Sequence, residues 1–249
     1  MPWVGFEFPV ILAQRVARRV QLLACVPWFK GIFDIGQPRG GQFGEVVGRL
    51  RRRNAPQAEG AYARRVYHAD AAAQLVQPRV REINWRYDTP AENLRQKQEV
   101  LRLRQDTAAR LTFKGSGSVQ EGVLTRTEIE FEVSDFAAAG RLLEHLGYQV
   151  FFIYEKFRQN YRLEGLTLSL DELPIGNFVE LEGRTPQLVR QVSDLLGLDW
   201  QARVNTSYTD LFYSLKARNG YTFRDLSFES LRDITVSAAD LQLQYADPS

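Results

Sequence analysis

At 249 residues, with 44% hydrophobic and 25% charged residues, the chain has the make-up of a globular protein able to bury a core, which excludes disorder along its whole length. Its one cysteine, Cys25, excludes an internal disulfide framework, and with two histidines a Cys/His zinc cluster is excluded as well, so any metal has to be held by oxygen ligands. The net charge of +2 conceals an asymmetry: residues 1–80 hold twelve Lys/Arg against five Asp/Glu, a net of +7, which leaves −5 for the remainder.

The first 80 residues show few clean periodicities, with Gly, Pro, Ala and Arg scattered through GQPRGGQFG and GRLRRRNAPQAEGAYARR. A basic arm of this kind suits nucleic acid or an acidic membrane surface. The segment MPWVGFEFPVIL lacks the positively charged start of a secretion signal, and no apolar run approaches the length of about 18 residues that spans a bilayer. The expectation is a cytoplasmic protein without a membrane partner.

From Arg81 the pattern changes to alternation, in which residues two apart face the same way. In VLRLRQ, Arg102 and Arg104 share a face, with Leu101 and Leu103 on the other. RLTFKG groups Thr112 with Lys114, and RTEIEFEV lines up Arg126, Glu128, Glu130 and Glu132 opposite Ile129, Phe131 and Val133. YEKFRQNY pairs Lys156 with Arg158, LTLSLDE sets Thr167, Ser169 and Asp171 together, and FVELEG does so for Glu180 and Glu182. Three helices interrupt the strands. Ser134 and Asp135 open FAAAGRLLEHL, whose Leu142, Leu143 and Leu146 are read as one face, and Gly147 stops it. Thr185 and Pro186 open QLVRQVSDLL ahead of Gly197, and a third helix is expected from about Asn205–Ser207 to before Gly220. The final stretch, from Tyr221, reads as a short accessory tail.

Six segments thus carry one apolar and one charged face, and two structures explain that. An antiparallel sheet with one wet side is the plain one. A closed barrel with a polar lumen is the other, and like charges crowded on single strands favour it, because they repel unless opposite charge lies between them.

The order YDTP (87–90), LRLR (101–104), FKG (113–115), RTEIE (126–130), EKFRQNY (155–161), LDELPIGNFVELEG (170–183) and SYTDL (207–211) resembles the CYTH family, the triphosphate tunnel metalloenzymes that include class IV adenylate cyclases and thiamine triphosphatases. The resemblance implies an α+β fold, an antiparallel barrel of about eight strands with helices packed outside, spanning residues 81–219 between the basic segment 1–80 and a tail at 220–249. It implies a triphosphate bound in the lumen by Arg102, Arg104, Lys114, Arg126, Lys156 and Arg158, guanidinium forks and ammonium groups suited to an oxygen-rich polyanion. It also implies Mg2+ or Mn2+ at Asp171, Glu180 and Glu182, with Glu128 and Glu130 as a further acidic pair. The implied substrate is ATP, thiamine triphosphate or inorganic triphosphate, with adenylate cyclase chemistry first, triphosphate hydrolysis second and a catalytically inactive polyphosphate or nucleotide binder third. Catalytic residues and oligomeric state are not specified.

One family element has no counterpart: a first strand bearing Glu-x-Glu-x-Lys, for no Glu-x-Glu pair occurs between Met1 and Arg81. Two explanations stand side by side, a degenerate member with an incomplete metal site, or an off-frame N-terminal stretch whose basic charge is then an artefact. The second leaves little weight on nucleic-acid binding.

Overall fold

The computed structural model describes residues 15–26 and 73–246, with backbone alone for residues 15–20. Most of the basic arm, residues 1–14 and 27–72, lies outside the described residues. Nine strands form one antiparallel sheet: β1 Arg15–Val26, β2 Gln74–Asp88, β3 Val100–Gln105, β4 Ala109–Gln120, β5 Val123–Val133, β6 Gln149–Leu163, β7 Leu166–Leu173, β8 Gly176–Gly183 and the two-residue β9 Arg203–Val204. The helices are the single turn α1 Asn93–Gln96, then α2 Phe136–His145, α3 Pro186–Leu195 and α4 Tyr208–Asn219.

The strand order is β5-β4-β3-β2-β6-β7-β8-β1, and β1 also pairs with β5, so eight strands close in a ring. Of the two arrangements compatible with alternation, the closed one is present. β1 closes it with its two halves: Arg15–Gln21 pair with Glu130–Leu124 of β5, and Val20–Val26 with Gly183–Asn177 of β8. This strand comes from the compositionally distinct first 80 residues, and the boundary expected at Arg81 falls inside β2.

The outer apolar faces are covered by helices. α3, capped where Thr185 accepts from the Leu188 N–H, lays Val189 and Val192 against Leu22 and Ala24 of β1, Leu168 and Leu170 of β7 and Val179 and Leu181 of β8. Asp135 caps α2 by accepting from the Ala138 N–H. That helix buries Leu143 against Tyr87 and Leu103, with Phe136 and Ala139 beside them. The face expected from Leu142, Leu143 and Leu146 is therefore corrected: Leu142 and Leu146 are 59% and 65% exposed, because the packed stripe runs through positions 136, 139, 140 and 143. Gly147 and Gly197, with φ of +90° and +66°, end their helices in the left-handed conformation that glycine adopts without strain.

The lumen is not polar throughout. Toward one end its side chains turn apolar: Leu23 and Cys25 follow Gln21 on β1, Phe178 precedes Glu180 on β8, and Phe152 precedes Tyr154 and Lys156 on β6. Leu211, Phe212 and Leu215 of α4 join this cluster, and so do Leu226, Leu231, Ala238 and Leu241 of the C-terminal stretch. Leu226 bonds to the β6 backbone at Ile153 and Glu155, beyond the reach of β7. The stretch read as an accessory tail is part of the packing that seals this end. Among the described residues no helix is long and apolar enough to cross a membrane.

Candidate functional site

All six basic residues singled out in the sequence line one cavity of about 1170 Å³, together with Glu128, Glu130, Glu180 and Glu182. Asp171 lies behind them, 1% exposed. Lumenal side chains of all eight ring strands converge because each strand presents every second residue inward.

The side toward β6, β7 and β8 is a locked charge network. Arg158 forks onto Asp171, Nε to Oδ1 at 2.6 Å and Nη2 to Oδ2 at 2.5 Å, and Nη2 also reaches Glu180. Lys156 Nζ lies 3.0 Å from Asp171 Oδ2, and the Tyr208 hydroxyl of α4 donates to the same oxygen at 2.8 Å. Burial disfavours the Arg158 charge, but Asp171 and Glu180 outweigh it and hold the guanidinium well above its ordinary range. Burial and the same two carboxylates push the Tyr208 phenol up, so that it stays a proton donor. On Glu180, burial opposes ionisation, yet Arg158 and Lys156 hold its carboxyl well below the usual range.

The side toward β2, β3, β4 and β5 is looser and more positive. Arg102 donates to the Tyr154 hydroxyl at 3.3 Å, to Thr112 Oγ1 at 3.2 Å and to Glu130 at 3.4 Å, while its Nε has no hydrogen-bond partner. Arg104 lies 3.5 Å from Glu130 and 3.7 Å from Glu82, and Lys114 lies 3.3 Å from Glu128. Burial lowers the pKa of Lys114 in spite of Glu128, and burial lowers that of Arg126 in spite of Glu128 and Glu180. A buried cation whose pKa is depressed is under-compensated and gains from an anion. Glu132, grouped with Glu128 and Glu130 by alternation, instead bonds Arg110 at 2.8 Å at the exposed strand end.

Three participants were not singled out by sequence. Glu82 of β2 is 1% exposed, with Lys156 Nζ at 3.5 Å and Arg104 at 3.7 Å, and neither of its oxygens has a hydrogen-bond partner. Burial would raise its carboxyl, but Lys156, Arg158, Arg104 and Arg102 bring it down to about 2. Arg86, two lumenal positions further on, donates to Thr209 Oγ1 of α4 at 3.2 Å. Gln21 of β1 donates to Glu180 at 2.6 Å and accepts from Arg126 at 3.4 Å. The alternation of REINWRYD carries the signal for Glu82 and Arg86, but an acid, an amide and a base in turn produce no like-charge crowding.

Glu82 gives stability a pH dependence of definite sign. Its folded value of about 2 lies below the ordinary 4.5, so its contribution is complete above pH 4.5 and is lost as pH falls toward 2. Melting temperatures at pH 7, 5, 4 and 3 are expected to hold between the first two and drop below them, with Glu82→Gln flattening the decline; a variant that declines as steeply as the parent contradicts this.

The CYTH domain matches residues 60–192, more than half of the chain. The chain belongs to the CYTH domain family. The matched span begins upstream of Arg81 and ends before α4. Among solved structures, a protein from Vibrio parahaemolyticus described as a candidate adenylate cyclase is 18% identical, over 80% of this chain and 99% of that one, with a TM-score of 0.56. A conserved hypothetical protein from Pyrococcus furiosus is 18% identical over 77% and 98%, TM-score 0.54, and a Pyrococcus horikoshii protein 21% identical over 78% and 98%, TM-score 0.53. At these identities the likeness concerns the fold. No curated protein matches the sequence.

CYTH proteins in general are metal-dependent and bind triphosphates. The first strand of this CYTH ring, β1, places Gln21 opposite Glu182 and Leu23 opposite Glu180, and both line the cavity. Asp171 already accepts from Arg158, Lys156 and Tyr208. Among the described residues no three His, Cys, Asp or Glu side chains form a ready cage. The donor chemistry fits a divalent cation that arrives with phosphate oxygens, because Mg2+ commonly takes only one or two carboxylates and completes its shell with phosphate and water. Glu180 and Glu182, neighbours on one face of β8, are the pair that suits it.

Proposed function

We propose that this CYTH chain binds an organic triphosphate in its lumen and acts on it at phosphorus with Mg2+ or Mn2+, with ATP cyclisation to cyclic AMP and pyrophosphate as the leading reaction. The observation that carries this reading is the convergence of Arg102, Arg104, Lys114, Arg126, Lys156 and Arg158 on one cavity. A cavity of about 1170 Å³ exceeds the usual range for a small-molecule site, roughly 300–1,000 Å³, and so leaves space for an organic group beyond the phosphates.

The locked network acts as a rigid wall. Asp171 fixes Arg158 and Lys156 so that their remaining N–H groups meet the phosphates without reorganising. The looser Arg102, Lys114 and Arg126 gain most on anion binding, since their present partners are few or distant. A bound divalent cation, held by Glu180 and Glu182, would neutralise phosphate charge and polarise the reacting phosphorus. The nucleophile decides the product: a ribose 3′-hydroxyl at the α-phosphate yields the cyclic nucleotide, and water at the terminal phosphate yields orthophosphate.

A second reading, binding without turnover, is favoured by Gln21 and Leu23 on β1, which bring no carboxylate opposite Glu182 and Glu180. Incubation with ATP and with inorganic triphosphate, with Mn2+ and with EDTA, separates the three. Cyclic AMP that disappears with EDTA is the expected result; orthophosphate alone indicates a triphosphatase, and binding that survives EDTA with no product indicates the binder. Failure to bind either compound overturns the proposal.

A further inference from the structure

The lumenal row of β2 runs Glu82, Asn84, Arg86, and Arg86 ends it on the side of α4. In register it stands between Arg102 of β3 and Phe152 of β6, that is, between the charged belt and the apolar cluster that seals this end. Among the described residues no carboxylate lies within ion-pair distance of Arg86, and its Nε is buried without a hydrogen-bond partner. Its charged neighbours include two further guanidinium groups, those of Arg102 and Arg126, and Arg102 Nε is likewise buried and unpartnered. Arg102 has Glu130 and Arg126 has Glu128 and Glu180 to offset its charge, and Asp210 offsets Arg86 only from beyond ion-pair distance, so Arg86 is the member of the three that an added anion would serve best. Burial and these like charges depress the Arg86 pKa.

Building on the triphosphate reading above, we propose that Arg86 grips the phosphoryl group nearest α4 and thereby sets the minimum length of phosphate chain that the lumen binds well. Lys114 and Arg126 stand at successive levels along the β4–β5 ladder, where the first phosphoryl groups would be held. A chain ending within that belt leaves Arg86 unmatched, and a longer one reaches it. Because Arg86 also donates to Thr209, its engagement ties the ligand to the first turn of α4.

Calorimetric titration with inorganic diphosphate and inorganic triphosphate, at fixed Mg2+, tests this in the full chain and in Arg86→Ala, Arg86→Lys and Thr209→Val. Loss of one or two charge-assisted hydrogen bonds is expected to weaken triphosphate binding by Arg86→Ala about 10- to 100-fold. Diphosphate binding is expected to change less than about threefold, with Arg86→Lys intermediate and folded if the alanine variant is not. Equal losses for both ligands, no loss for either, or a Thr209→Val variant that reproduces Arg86→Ala overturns the proposal, the last by making Arg86 an anchor for α4. A parent protein that binds neither ligand overturns the triphosphate reading itself, whereas a parent that binds triphosphate no better than Arg86→Ala overturns only the role of Arg86.

Discussion

Arg102→Ala is expected to weaken triphosphate binding by roughly 30- to 1,000-fold, about 2–4 kcal/mol, with little change in stability. Arg102 is 7% exposed, yet its contacts to Tyr154, Thr112 and Glu130 are long, from 3.2 to 3.4 Å. Such contacts orient a guanidinium without saturating it, and phosphate oxygens at shorter range would be its best partners. Removing it strands no charge: Thr112 already donates to Glu130 at 2.9 Å, and Arg104 remains 3.5 Å from the same carboxylate. Affinity and melting temperature should therefore separate, the first collapsing while the second moves by only a few degrees. Titration calorimetry beside a thermal melt reads both, and an unchanged affinity removes the lumen as the binding site.

Asp171→Ala should have the opposite profile, a loss of about 3 kcal/mol in stability without any ligand present. Its carboxylate is the hub onto which Arg158, Lys156 and Tyr208 all converge, and its removal leaves buried donors short of acceptors. The cost is limited because Arg158 keeps Glu180 and Lys156 keeps Glu82. For a chain of this size the melting temperature is expected to fall by about 6–12 °C, and Asp171→Asn, which retains one acceptor oxygen, should recover part of it. If the residue served only to ligate metal, the metal-free variant would melt within 2 °C of the parent.

The barrel was legible in the sequence wherever like charges recurred at alternate positions, as at Arg102 and Arg104 or Glu180 and Glu182, because only an enclosed lumen brings opposite charge between them. The three capped helices were legible for a local reason, since Asp135, Thr185 and Ser207 each accept from a backbone N–H three residues on. Glu82 and Arg86 escaped because their strand mixes both signs, so nothing marked the face as enclosed. The sealed end escaped for a different reason: Phe152, Phe178 and Leu23 are apolar and lumenal, and alternation alone assigns an apolar residue to the outer face. β1 was hardest to read, because in RVARRVQLLACV apolar side chains fill both faces of the C-terminal half.

Ring closure by β1 has a consequence for biosynthesis. Its partners on β8 are made long after it, as the 159-residue separation of Gln21 and Glu180 shows. At ribosomal speeds of about 5–20 residues per second, β1 waits on the order of 8 to 30 s for β8, and longer still for the short β9. Throughout that interval the sticky edge QLLACV has no second strand beside it, an opportunity for self-association that a nascent-chain chaperone would be well placed to shield. Assembly is accordingly a race between completion of the hairpin β7–β8 and aggregation of β1, and a lower chain concentration, which slows only the bimolecular step, should tilt it toward the native ring.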